Sequence, residues 1–492
     1  CSAVTIPYLM PPQGTSGATM LPTPWQSTGA EGVNNLASKL LLALLPPNAP
    51  FFRLHMADFV KGQAGQDPKV KAQIEAALAG IERAIMQEIE ESSIRTTLFE
   101  TLKHLINSGN ACVYLPPEGG MRFYRIDDYV VQRDEMGEVV KAIIKTDVLY
   151  STLPPDVQAM VRTAGLANFD GKNDNDKDDE VPVYTVITLV RGKMYRVHQE
   201  IANGQVLPGS YGMYPKDKSP YLFLRWQKMA NEHYARGHVE EYLGDLQTLD
   251  GLQRSIIEGA AVASKVVFLV DPNGTTQAED INAAENGDAV PGRKDEVNVF
   301  QADKFADFRV ALETISNVEK RLARAFMLTS SVQRDAERVT AEEIRIMATE
   351  LETSIGGVYS ILSQEFQLPF LKRIMARMTA AGKLPVLPKG TVSPTIVTGL
   401  EALGRGAELN KLITFTQILA QTLGPQAVMQ VLKPSQFTTK VGALLGIDTT
   451  DVVNTPDEIA QAQQEQQRQE TIKQLGPAAM QAASKAQDNQ GQ

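Results

Sequence analysis

Two stretches with helical spacing of apolar residues, 238–265 and 305–327, bracket a loop-rich segment at 271–296, and a third, longer stretch follows them. In the first, Leu243, Leu246, Leu249, Leu252 and Ile256 recur at helical intervals and lead into the small-residue run GAAVASK at 259–265. In the second, Ile315, Val318, Leu322 and Phe326 share one face. The third opens at a capping box of Thr340 with Glu343. It runs to about residue 380, roughly 60 Å of helix at 1.5 Å per residue. Gly356–Gly357 and Pro369 are its expected bend points. A helix that long seldom buries its whole apolar face within one subunit of 492 residues, so a neighbouring chain is the easier partner. Small residues on one face (Gly259, Ala260, Ala261, Ala263) let backbones approach closely, as helices packed side by side require. Assembly into a ring is one solution.

The remaining segments divide by period. The first thirty residues, rich in Pro, Gly, Ser and Thr, read as an extended arm. A short apolar helix follows and stops at Pro46–Pro47. Ile74, Leu78, Ile81, Ile85 and Ile89 line one face of a helix over 70–91. Leu98, Leu102, Leu105 and Ile106 do so over 93–108, with Gly109 placed as a C-cap. From 111 to about 226 the period changes to two. ACVYL and MRFYRI flank PPEGG, YVVQR and EVVKAIIK flank DEMG, and VYTVITLV and KMYRVHQEI flank RG, which gives three hairpins. NFDGKNDNDKDDE at 168–180 reads as a polar acidic loop, and VNVF as a further strand. Short helices are expected over 396–450 and a fraying Gln- and Ala-rich tail after them. The fold class is α+β in several domains.

Chemistry is mostly missing. No G-x-x-x-x-G-K-[ST] phosphate loop occurs, since LPKGTVS at 387–393 has Lys and Gly in the wrong order. G-x-S-x-G, HExxH and CxxC are absent. His233 and His238 stand five apart without a third ligand nearby, which favours a surface or interface role over a metal site. Asp174, Asp176 and Asp178 imitate a calcium loop, but Asp179 stands where Gly is needed and Thr185 where a bidentate Glu belongs. Glu342 and Glu343 are explained by helix capping and dipole preference. The expectation is no catalytic residue, no metal and no cofactor. Apolar runs such as LLLALL at 40–45 are too short to span a bilayer. With only Cys1 and Cys112, the fold relies on core burial rather than disulfides, and folding in a reducing cytoplasm is expected. A first residue of Cys is expected to follow either a longer chain or processing, a lipoprotein among the options.

A net charge of −10 argues against gripping nucleic acid over a wide basic surface. It permits a channel in which DNA slides. SSVQRDAERVT at 330–340 places Arg334 and Arg338 in a short connection between two strong helices. They belong either to a polar surface loop paired with nearby acids or to a loop aimed at a phosphate backbone, one weak contact per subunit multiplied around a ring. Lys320, Arg321 and Arg324 on the preceding helix are secondary candidates.

TPWQSTGAEGVNNLASKLLLALLPP (23–47), YVVQRDEMGEVV (129–140), EEYLGDLQTLDGLQ (240–253) and FMLTSSVQRDAERVTAEEIRIMATELETSIGGVYSILSQEFQLPF (326–370) resemble bacteriophage portal proteins, those of T-seven-like podophages above all; PTIVTGLEALGRGAELNKL (394–412) continues the match. The resemblance implies a dodecameric ring, the head-to-tail connector, assembled in the host cytoplasm and seated at one capsid vertex of the virion. It implies a wing at 1–236, stem helices at 237–270 and 303–327, a clip at 271–302, a tunnel loop at 328–339, a long wing helix at 340–382 and a crown with its tail at 383–492. It further implies double-stranded DNA in the channel, with Arg334 and Arg338 of the tunnel loop touching it. Terminase, tail adaptor, major capsid, scaffolding and internal core proteins are the implied partners, and no membrane is involved. Two other readings stay open at this level: an oligomeric virion component without DNA passage, such as a tail adaptor, and an enzyme such as a nuclease with unrecognised carboxylates.

Overall fold

A computed structural model describes residues 1–56, 68–165, 180–263, 267–300, 305–328, 357–385 and 392–396, apart from positions 13, 16, 17, 48 and 49, with scattered positions between 412 and 441. Arg334, Arg338, the Thr340–Glu343 box, the 168–179 loop, LPKGTVS up to Thr391 and the Gln-rich tail lie outside the described residues. The chain divides into two compact units, one of residues 1–66 and 78–399, the other of 67–77 and 400–492. In the smaller unit residues 414–419 are helical. The larger one carries the elements that position the site.

Its first helix, α1 (Thr28–Leu44), buries Val33, Leu36, Ala37, Leu40, Ala43 and Leu44 completely. Those positions form one stripe at helical spacing, and Pro46–Pro47 prevent continuation. Helix α2 (Pro68–Glu91) turns Leu78, Ile81, Ile85 and Ile89 inward. Helix α3 (Ile94–Ser108) packs on α1 through Leu98, Leu102, Leu105 and Ile106. Gly109 ends α3 in the left-handed conformation, φ 77°, with its N–H donating to the Leu105 carbonyl at 2.8 Å. A Cβ there would lie 2.4 Å from the Arg236 carbonyl carbon, so glycine is required twice over.

The three hairpins form as the alternation predicts. β2 (Asn110–Tyr114) pairs with β3 (Arg122–Tyr124), β4 (Tyr129–Arg133) with β5 (Val139–Leu149), and β6 (Glu180–Val190) with β7 (Met194–Ile201). Their turns use Gly119–Gly120, Gly137 and the pair Arg191–Gly192, all at positive φ. Local alternation did not reveal the assembly of the hairpins. β5 pairs with β6 and β8 (Gly212–Pro215) joins β7, giving a five-stranded antiparallel sheet in sequence order, β4 to β8. Helix α4 (Pro155–Thr163) buries Val157 and Val161 in a cluster with Val181, Val183 and Ile201 of that sheet and with Tyr150 just after β5. β9 (Tyr221–Arg225) returns to β2 and makes a second sheet, β3-β2-β9. A further pair joins β1 (Phe52–Met56) to β12 (Val392–Ile396).

Beyond the sheets come a single turn, α5 (His238–Glu241), and the long helix α6 (Leu243–Ala263). A ribbon of β10 (Val267–Val270) with β11 (Val297–Phe300) encloses the short helix α7 (Ala278–Ala283), and α8 (Phe305–Ala325) follows. The chain is described again from Gly357. There the expectation of one helix over 340–382 needs correction: Gly357 has φ 87°, which no right-handed helix accommodates, so a helix starts at α9 (Val358–Leu362) rather than passing through. A π-helical turn, Ser363–Gln367, joins α9 to α10 (Leu368–Ala380), and Pro369 sits in the first turn of α10.

Candidate functional site

α6 and α8 pack against each other, and their shared face is the one the periodicity predicts. Leu246, Leu249, Ile315, Val318, Leu322 and Phe326 are buried. Polar links flank the seam. Arg321 Nη2 donates to Asp245 Oδ1 at 2.8 Å, and Gln253 Nε2 donates to Glu319 Oε1 at 3.3 Å. Near the far end a Cβ on Gly259 would stand 2.8 Å from the Phe308 ring. Residues late in α6 therefore lie against residues early in α8, and the two helices run antiparallel. The connecting ribbon is closed by Glu296, whose carboxylate accepts from the backbone N–H groups of Thr275 and Thr276 at 3.0 and 2.9 Å and from the Thr276 hydroxyl at 2.7 Å. Those donors hold its pKa below the usual carboxylate range.

The outward faces of the pair are not those of a finished surface. Ile257, Val262, Val310 and Leu312 are 49%, 57%, 66% and 55% exposed, and the ribbon adds Phe268 and Leu269, each about half exposed. A two-stranded ribbon alone is marginal in water. These exposed apolar side chains lie on more than one face of the pair and its ribbon.

The root of the pair is built in the opposite manner. Phe326 is fully buried within reach of His238, at a ring distance of 5.1 Å and near-perpendicular, and of Tyr242 at 6.0 Å, with Gly32 of α1 beside it. α8 ends in a Schellman motif: Leu328 N–H donates to the Ala323 carbonyl at 2.7 Å and Met327 N–H to that of Arg324 at 3.2 Å. Its left-handed position, φ 56°, is held by Met327, where glycine is usual. A side chain there costs about 1–2 kcal/mol. Three side chains close on the last carbonyls. His238 Nε2 meets that of Ala325 at 2.9 Å, Asn35 Nδ2 donates to those of Phe326 and Met327 at 3.0 Å each, and Lys39 Nζ donates to that of Met327 at 2.7 Å. A carbonyl only accepts, so Nε2 of His238 carries the ring proton. Burial lowers the pKa of this histidine against the raising effect of that carbonyl, which keeps it neutral at pH 7. The buried ammonium of Lys39 faces the negative end of the α8 dipole.

Gly259 meets Phe308 of its own chain, and Ala260 and Ala261 are exposed, while the side chain of Ala263 is outside the described set. Lys320, Arg321 and Arg324 are exposed on α8, and Arg321 is engaged with Asp245. His233 and His238 do not converge on one another: Nδ1 of His233 accepts the Arg133 N–H at 3.1 Å. Cys112 is fully buried, which pushes its thiol pKa up and leaves it unreactive. Among the described residues no three His, Cys, Asp or Glu are grouped to hold a metal, and no helix is long and apolar enough to cross a membrane. Asn35 and Lys39 escaped the sequence reading. The signal for Lys39 was a lone cation in LASKLLLAL, a helix otherwise apolar on that side, where an ammonium must reach an acceptor.

The family profile described as bacteriophage head to tail connecting protein matches residues 1–453. The portal protein of Escherichia phage T7 is 40% identical over 474 residues, 95% of this chain and 87% of that one. The portal protein of Enterobacteria phage T3 is 42% identical over 467 residues, 93% of this chain and 85% of that one. Among solved structures, the neck of an empty GTA particle aligns with 80% of this chain and 86% of that one at 13% identity and a TM-score of 0.36.

Proposed function

The chain belongs to the family of bacteriophage head-to-tail connecting proteins, the portal proteins, and from that premise we propose that it is one subunit of a dodecameric ring through which double-stranded DNA enters and leaves the capsid. In this reading α6 and α8 are the stem, the segment between them is the clip that meets terminase during packaging and the tail adaptor afterwards, and residues 328–339 are the tunnel loop. Residues 1–236 are the wing, 340–382 the returning wing segment that includes α9 and α10, and 383–492 the crown. Major capsid, scaffolding and internal core proteins meet the assembled ring at the capsid vertex.

The observation that carries the proposal is the exposed apolar surface of the α6–α8 pair and its ribbon. Ile257, Val262, Val310, Leu312, Phe268 and Leu269 need a cover that the described part of their own chain does not give them. Another copy related by rotation covers one flank with the opposite flank of its neighbour, and such a heterologous contact closes into a ring when the rotation divides a full turn. The net charge of −10 suits a channel that must not grip its cargo. Arg334 and Arg338 then supply the few phosphate contacts, each weak enough to release. Arg321 stays a secondary candidate, with its exposed side chain paired to Asp245 at 2.8 Å.

Particle images and native mass of the full chain test the assembly: a ring with a hole as wide as duplex DNA is expected. The double variant R334A/R338A should still form rings but package or retain less DNA. A stable monomer, or a closed object without a hole, would overturn the proposal; double-variant rings that package and retain DNA normally would remove the arginines from it.

A further inference from the structure

We infer that Asn35, Lys39 and His238 are positioning residues, which hold Met327 in its left-handed conformation and so fix the direction in which the chain leaves α8 toward Arg334 and Arg338. The inference rests on the proposed function for what those arginines do, but the clamp itself is read from geometry alone. A non-glycine residue at the left-handed position of a Schellman motif persists only where its surroundings over-determine it. Here they do. Four hydrogen bonds of 2.7 to 3.0 Å, from two segments distant in sequence, end on three consecutive carbonyls, those of Ala325, Phe326 and Met327. Phe326, the residue before the strained one, is fully buried and cannot swing, since Gly32 leaves no room beside it for even a methyl group.

The choice of groups fits positioning better than plain stability. A glycine at 327 would complete the same motif without strain and without help. Methionine needs help, and the help comes from α1 and α5, so the exit direction of the chain is tied to two elements outside the helix pair. Lys39 is the strongest link. Its ammonium is buried, and its bond to the Met327 carbonyl lies on the strained residue itself.

Hydrogen exchange on assembled full-length rings reads the clamp directly. In the wild type the amides of Met327 and Leu328, both donors in the motif, should be protected. In N35A and in K39M they should exchange at least tenfold faster while amides elsewhere in α1 and α8 stay as they were. N35A is the milder change, because Asn35 is only partly buried. The decisive variant is K39M/M327G, in which glycine accepts φ 56° unaided: protection should return. DNA retention in particles should follow the same order, reduced in K39M and restored in K39M/M327G. Equal exchange in K39M and wild type, or equal exchange in K39M and K39M/M327G, would overturn the clamp. Restored protection without any change in DNA retention across the series would overturn its positioning role. Failure of the wild-type chain to form an open ring would refute the proposed function instead, and would leave the exchange result standing on its own.

Discussion

Replacing Gly32 by alanine sets two opposed effects against each other, and the structure decides between them. In a helix interior alanine is favoured over glycine by about 1 kcal/mol. Gly80 of α2 shows that gain undisturbed: a Cβ there meets nothing within 4 Å, so G80A should stabilise by about 0.5–1 kcal/mol. At Gly32 the added Cβ would stand 2.6 Å from Phe326 Cγ and 2.9 Å from its Cβ and Cδ1. Carbon atoms in good contact sit about 3.5–4.0 Å apart, so something must move by roughly an ångström. The contacted atoms are the root of a fully buried side chain, not its tip, and Asn35 holds the same residue's carbonyl. Overpacking of this kind costs about 1–3 kcal/mol, and the upper half of that range applies where the neighbour cannot turn away. After the propensity gain, G32A should lose about 1–2 kcal/mol. Urea unfolding of wild type, G32A and G80A at one fixed protomer concentration measures both signs, since oligomer stability depends on concentration. A G32A midpoint at or above that of the wild type would refute the claim that α1 and the end of α8 are in rigid contact.

Two further perturbations probe other parts of the larger unit. Glu365 of the π turn accepts from Arg225 Nε at 3.1 Å, Nη2 at 2.6 Å and the backbone N–H at 3.1 Å, with Lys228 Nζ at 3.0 Å. E365A strands a buried guanidinium and should cost about 3–5 kcal/mol, whereas the double change R225M/E365L should cost less; equal losses in the two variants would count against the pair. His104 is buried, its Nδ1 has no hydrogen-bond partner, and burial first, then the charge of Arg125, depress its pKa to about 4. An unfolded histidine takes its proton near 6.5 and the folded one only near 4, so acid favours unfolding across that window. Stability should fall by about 2 kcal/mol between pH 7 and pH 5 from this residue, and H104L should flatten that part of a urea-midpoint profile.

What the sequence revealed was local. The hairpins were legible because alternation and turn chemistry lie within a dozen residues, as with Gly137 beside Asp134, whose side chain accepts the N–H groups of Met136 and Glu138. The helix pair was legible because Leu246, Leu249, Leu322 and Phe326 repeat with one period. Pairing of β9 with β2, and of β12 with β1, was not, because strand choice across a hundred residues or more is decided by packing that no local pattern encodes. The same limit applies to charge. The pairing of Arg321 with Asp245 across the two helices had no local signal, while Lys39 gave only the weak signal of a cation in apolar company. Gly356–Gly357 was legible as a weak point, but not as the left-handed residue from which α9 starts.

The π turn lies just before Pro369, one of the expected bend points. Tyr359, Leu362, Phe366, Phe370, Ile374 and Met378 are all buried. They recur on average every 3.8 residues or so, against 3.6 for an α-helix. Over the five turns they span, the mismatch amounts to about one residue, enough to carry a straight α-helix's stripe about 100° off its face. One wide turn at Ser363–Gln367, marked by Leu368 N–H donating to the Ser363 carbonyl, absorbs that residue and returns Phe370 to the face that buries Tyr359. It also lies where proline would otherwise do harm. In an α-helix Pro369 would withhold a donor from the Glu365 carbonyl and press its ring against it. A widened turn at that carbonyl relieves the crowding. Glu365 is thereby presented to Arg225 at the end of β9, and the extra residue that keeps the apolar stripe aligned also carries the carboxylate that ties this helix to the sheet.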